Sequence, residues 1–177
     1  MSTFFTVLRT IVALVILGCA AAVAFIYSGL YDVSATAPDN AIVAWAVHAV
    51  SEASVAARLG ANKVPEGLDK PETIKAGGRL FVENCAVCHG SPEVPPTPIA
   101  QGLNPAPPNL FAATRKPDEK ENFQFIKYGV KMTAMPGFGK SFDDEHIWQT
   151  VAFLNKLPGM SKSDYAGLTA AEAPSAN

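Results

Sequence analysis

Charged side chains vanish from one long stretch near the start of this 177-residue chain. From Thr10 to Tyr31 every residue is uncharged and most are aliphatic. As a helix rising 1.5 Å per residue, this run is about 33 Å long, enough to cross the hydrocarbon core of a bilayer. Arg9 precedes it, and Asp32 and Asp39 follow. A positive charge on the N-terminal side favours that end in the cytoplasm and everything after residue 31 outside. A cleaved signal peptide would have a shorter apolar region, roughly 7–15 residues. The nearest small-x-small site, Ala35-Thr36-Ala37, lies well past the run. Ile16-Leu17-Gly18-Cys19 faintly resembles a lipoprotein cleavage box, but the apolar run continues beyond Cys19, which reads as a small apolar residue of a membrane helix. Residues 1–31 are therefore expected to be an uncleaved, single-pass anchor.

Periodicity returns after Pro38-Asp39-Asn40. Ile42, Trp45, Ala46, Ala49, Val50 and Ala53 recur at three- and four-residue steps, with Ser51, Glu52, Ser54 and Arg58 on much of the other side. This predicts an amphipathic helix over 40–59 ended by Gly60, with Val64 to Leu68 as linker, so that 32–69 forms a connecting region. The helix has three destinations open to it: the membrane interface with Trp45 as aromatic anchor, a partner subunit, or the domain that follows. A second helix should start at Pro71 and run through Ile74, Gly77, Gly78, Phe81 and Val82. A third, starting near Asp118, would carry Phe123, Phe125, Ile126 and Val130. A fourth begins at the acidic Asp143-Asp144-Glu145, continues through Ile147, Trp148, Val151 and Leu154, and stops before Pro158-Gly159. Residues 91–118 hold eight prolines and little periodicity, which suits a loop curving around a flat object. Residues 161–177, rich in Ala and Ser, are expected to be a flexible tail.

The pattern describes an all-α chain whose main domain spans 70–160. A domain of about 90 residues buries little surface by itself, so a bound cofactor is expected to supply part of its core. Residues 71–160 carry nine Lys/Arg against nine Asp/Glu, which is unlike a basic carrier relying on long-range steering. With a formal net charge of −2 for the whole chain, no nucleic-acid partner is expected. Lys127, Lys131 and Lys140 form the one local basic group of interest.

Cys85-Ala86-Val87-Cys88-His89 is where chemistry enters. Two thiols two residues apart can both reach the vinyl groups of one haem, and the histidine that follows is placed to coordinate its iron. A structural zinc site would need more Cys or His at suitable spacing. The only other cysteine is Cys19, and His48 and His146 stand alone. A thioredoxin-like dithiol would need a βαβ setting, whereas the flanks here read as helix and Pro/Gly-rich loop. The motif implies one covalently attached haem c.

With that motif in place, residues 70–160 resemble a class I cytochrome c. Gly77 and Phe81 match the glycine and aromatic that precede the first haem cysteine by eight and four residues in that family. Phe153 matches the aromatic through which the family's last helix crosses the first, and Trp148 is expected to add to this contact. Pro108-Asn109-Leu110 resembles the segment whose proline carbonyl accepts a hydrogen bond from the proximal histidine. The resemblance thus has Pro108 orient His89 and Leu110 pack on the haem face. Thr133-Ala134-Met135-Pro136-Gly137 resembles the loop that delivers the distal methionine, making Met135 the sixth iron ligand. Met132, without a following proline, and Met160, past the last helix, are the weaker alternatives. Tyr128, Arg115 and Lys116 are candidate partners for the haem propionates, among which spacing does not choose.

A His/Met pair is a soft, potential-raising ligand set. The resemblance therefore implies single-electron transfer, and the charge-free run preceded by Arg9 leads to the expectation of a cytochrome anchored in a bacterial inner membrane with its haem domain in the periplasm. Membrane lipid and redox proteins such as a dehydrogenase, a quinol-linked complex or a terminal oxidase are the expected partners. The chain would act as a tethered shuttle or a bound subunit, not as an enzyme by itself. A gas-binding sensor or a peroxidase-like haem protein is the alternative and would need an open or labile sixth position.

Overall fold

In a computed structural model describing residues 2–170, every regular element is a helix. The chain divides into two compact units at Ala37/Pro38. The first is built on α1 (Ser2–Tyr27), whose segment Thr3–Tyr27 is long and apolar enough to cross a membrane. It differs from the expected span at both ends. The helix starts upstream of Arg9, which lies inside it, and stops at Tyr27, where Gly29 adopts a left-handed φ of 68°. The helical part of the charge-free run, about 27 Å, still approaches the roughly 30 Å hydrocarbon core, and an arginine near a helix end can reach the headgroups along its aliphatic stem.

The second unit begins at Pro38 and takes in more chain than the expected 70–160 domain. Its helices are α2 (Ala41–Ala56), α3 (Pro71–Asn84), the single turns α4 (Ala86–His89) and α5 (Pro98–Gln101), α6 (Glu119–Tyr128), α7 (Asp144–Leu154) and α8 (Lys162–Thr169). Short 3-10 turns lie at Leu59–Ala61 and Phe138–Lys140. Asn40 caps α2 by accepting hydrogen bonds from the Ile42 and Val43 amides. Gly60 sits in a 3-10 turn instead of ending the helix. Val64 and Leu68, expected in a linker, pack on the core.

The core is made where α3 meets α7. Ile74, Gly77, Gly78 and Phe81 share one buried face of α3, spaced three and four residues apart. A Cβ at Gly77 would lie 1.9 Å from the Gln149 carbonyl oxygen, so only glycine lets α7 come this close. Phe153 fills the contact, its ring 5.3 Å from that of Phe81. Trp148 does not join it. It stacks on Phe123 at 4.2 Å and so ties α7 to α6, helped by a 2.6 Å ion pair between Lys127 and Asp144.

The expected tail is corrected over most of its described length. Residues 162–169 are helical, capped by Ser161, and Tyr165 packs against Phe81, Phe111 and Phe153. A Cβ on Gly78 would lie 2.6 Å from the Leu168 carbonyl, so the second glycine of α3 admits α8 as the first admits α7. Residues 171–177 fall outside the described part of the chain.

Candidate functional site

Cys85 ends α3 and begins the tight turn of α4. Its carbonyl accepts the amide hydrogens of Cys88 and His89 at 3.1 and 2.9 Å, which brings both sulfurs and the imidazole to one wall of a cleft. Gly90, at φ 75°, then turns the chain away. Thr97 braces the exit: its hydroxyl donates to the Val87 carbonyl at 2.6 Å and caps α5.

His89 Nδ1 lies 3.3 Å from the Pro108 carbonyl oxygen. Donating Nδ1–H there leaves the Nε2 lone pair available to a metal. This contact is the one the family resemblance implies. Burial lowers the His89 pKa, with a smaller lowering from Arg115 and a raise from the Pro108 carbonyl between them in size, so the ring is biased toward its neutral, ligating form. The Pro108 segment is itself fixed. Asn109 accepts the Phe111 amide at 3.0 Å, and the Phe111 carbonyl accepts the Gly159 amide at 3.0 Å, leaving Leu110 buried in the cleft wall.

Met135 reaches the same cleft from a closed loop. Its carbonyl accepts the Val130 amide at 3.1 Å, and its own amide donates to the Thr133 hydroxyl at 3.1 Å. At the loop's base Gly129, with φ 67°, stands where a Cβ would be 2.6 Å from the Gly137 nitrogen. Met132 is 86% exposed and faces away, and Met160 packs on the core outside the cleft. Of the three methionines considered, Met135 alone lines the cavity.

The cavity has a volume of about 360 Å³, within the range of small-molecule and cofactor sites, and its walls are mostly apolar. Two features of the donor set fit a covalently held haem. Burial pushes the Cys85 thiol up to about 12, with Cys88 adding a smaller push, which disfavours a zinc-binding or nucleophilic thiolate. A thioether carries no charge and incurs no such penalty. Arg115 and Asn122 meet in the wall through a 2.8 Å hydrogen bond from Nη2 to Oδ1. Arg115 Nη1 and Asn122 Nδ2 are nevertheless buried without a protein partner. Two orphaned donors at the edge of an apolar cleft suit a carboxylate such as a haem propionate, because unpaired buried donors are costly.

Residues 72–154 match the profile of the family described as cytochrome C oxidase, cbb3-type, subunit III. This segment is a class I cytochrome c domain. No solved structure matches the chain. The chain is accordingly an electron-transfer haem protein and not a catalyst in itself. For this cytochrome, the structure brings Cys85, Cys88, His89, Pro108, Leu110 and Met135 around one cavity. Of the propionate candidates, Arg115 and Lys116 line it, whereas Tyr128 is exposed and does not. Asn122 escaped the sequence reading, since a polar helix residue ordinarily faces solvent. The basic group at 127, 131 and 140 is also reduced, because Lys127 is bound to Asp144.

Proposed function

We propose that this cytochrome carries single electrons between respiratory-chain components, anchored by α1 in a bacterial inner membrane with its haem domain in the periplasm. One haem c is held through thioethers to Cys85 and Cys88 and ligated by His89 and Met135. Pro108 orients the histidine, Leu110 packs on the ring face, and Arg115 with Asn122 receives a propionate. When bound, the haem supplies a one-electron iron couple. The protein's own part is to exclude water, hold the imidazole neutral and present a soft sulfur that favours the reduced metal. The observation carrying this reading is the convergence of both thiols, the Pro108-tethered imidazole and Met135 on one apolar cavity. The matched family's description names an oxidase subunit, which supports a terminal oxidase as the redox partner, over a dehydrogenase or quinol-linked complex.

The distal ligand is the decisive test. Native protein should be low-spin in both oxidation states with the weak ferric band of iron–methionine coordination. Met135→Ala should abolish the band, lower the reduction potential and open the iron to carbon monoxide, and Met132→Ala should do none of these. Native protein that binds carbon monoxide readily and lacks the methionine band would make the gas-sensor or peroxidase reading the better one. A reporter fused after residue 160 should be active only outside the cytoplasm.

A further inference from the structure

Helix α2 lies outside the matched domain, and none of its residues is buried. Its C-terminal end and the 3-10 turn that follows touch α6. Ser51, Val55 and Leu59 are half-buried, and Gln124 of α6 donates to the Arg58 carbonyl at 3.0 Å. The N-terminal half projects, with Ile42 74% and Trp45 70% exposed and Val43, Val47 and Val50 exposed as well. At 3.6 residues per turn, Ile42, Val43, Trp45 and Val47 point to different sides of the axis. A partner protein, or a second copy of this chain, would cover one stripe of such a helix and leave the others in water. A hydrocarbon phase covers all of them.

We propose that Ala41–Val50 inserts into the acyl region of a neutral lipid bilayer and docks the haem domain on the membrane. No charge lies between Ala41 and Val47, and the first polar pair, His48 and Glu52, lies one turn apart with its side chains 3.5 Å from each other. The Ile42 and Val43 amides, which would be costly in lipid, are capped by Asn40. At about 24 Å the helix is too short to span the roughly 30 Å core, and its other end is committed to α6, so it enters one leaflet only. Residues 28–40 link it to α1 and reach at most about 45 Å when extended, a tether that lets α2 touch the same bilayer. Because α6 also lines the cleft through Asn122 and Ile126, lipid contact at α2 fixes how the haem domain faces its partners.

The proposal rests on α1 being the anchor, and one experiment separates the two. Full-length holoprotein is reconstituted in phosphatidylcholine vesicles and in brominated phosphatidylcholine vesicles. The difference in tryptophan emission between wild type and Trp45→Phe isolates Trp45 from Trp148. Bromination should at least halve the Trp45 emission, and Val43→Glu with Val47→Glu should restore it while the chain stays with the vesicles after carbonate washing. Equal emission in both lipids from a carbonate-resistant chain overturns the docking and leaves the anchor standing. Cross-linked dimers through α2 without quenching overturn it in favour of a second copy. A chain that carbonate releases overturns the anchor and the docking together.

Discussion

Helices α2 and α7 look alike as sequence: short, rich in apolar residues, and capped at the N-terminus by a side-chain oxygen. Their fates are opposite. From Thr150 to Leu154 every residue of α7 is buried, while no residue of α2 is. Apolarity does not separate them; the complementary surface does. Helix α7 meets an α3 face from which two side chains have been removed, so its backbone settles against Gly77 and its aromatic ring against Gly78. Helix α2 meets α6 near its own C-terminal end, where Gln124 holds the Arg58 carbonyl just beyond it. An apolar helix becomes core when another element is shaped for it, and otherwise waits for a surface the chain does not supply.

The sharpest way to break this comparison is to remove the complementary surface. Gly77→Ala places a methyl 1.9 Å from the Gln149 carbonyl, and backbone cannot rotate away as a side-chain tip could. The cost should exceed the about 1–3 kcal/mol typical of overpacking. Haem-stained gels should show little holoprotein accumulating, whereas Ala49→Leu on α2 should leave the yield unchanged.

Truncating the fillers comes next. Phe153→Ala empties a fully buried site and should destabilise the holo-domain by about 3–5 kcal/mol in denaturant titrations. Trp45→Ala, though it removes the larger side chain, should stay within about 0.5 kcal/mol in detergent, as exposed substitutions do. A large loss at Trp45 would mean that α2 is packed after all.

Helix α8 offers an intermediate case. Tyr165→Ala should cost about 2 kcal/mol, less than a fully buried aromatic because the ring is only half-buried. Unchanged unfolding in this variant would return residues 162–169 to the flexible tail that their composition suggests.

How much was legible follows from what each feature demands of the sequence. That Cys85, Cys88, His89 and Met135 would share one cavity was legible, the first three from the spacing of the motif and Met135 from the family resemblance of its Met-Pro loop. Gly77 and Phe81 were readable because helix packing at this point excludes every other residue type at one position. Helix α8 was not, since only Tyr165 and Leu168 mark it within an Ala- and Ser-rich stretch, and two apolar residues show no period. Asn122 and Gln124 were missed for a related reason. Helix α6 faces the cleft, the Arg58 carbonyl and α7 at once, so its polar residues are buried beside Phe123 and Ile126. The presence of α2 was legible and its destination was not, because periodicity reports an apolar face without saying what covers it.

The smallest effect separates the two caps. Asp143 accepts the His146 amide at 2.9 Å and approaches the His146 ring nitrogen at 2.6 Å; these hydrogen bonds hold its carboxyl below the ordinary value of 3.8. A depressed carboxyl stabilises the fold above its unfolded pKa, and that contribution is lost as pH falls through the lower folded value. Asn40 does the same work on α2 with a neutral amide, so its contribution is independent of pH. Wild type and Asp143→Asn should therefore differ slightly in thermal midpoint at neutral pH and converge below pH 3.8, because asparagine caps well but does not titrate. Asn40→Asp should introduce the opposite behaviour, a pH-dependent cap on α2 where none existed. Parallel curves for Asp143→Asn and wild type across the acid range would show that the charge of Asp143 contributes nothing to holding α7 in place.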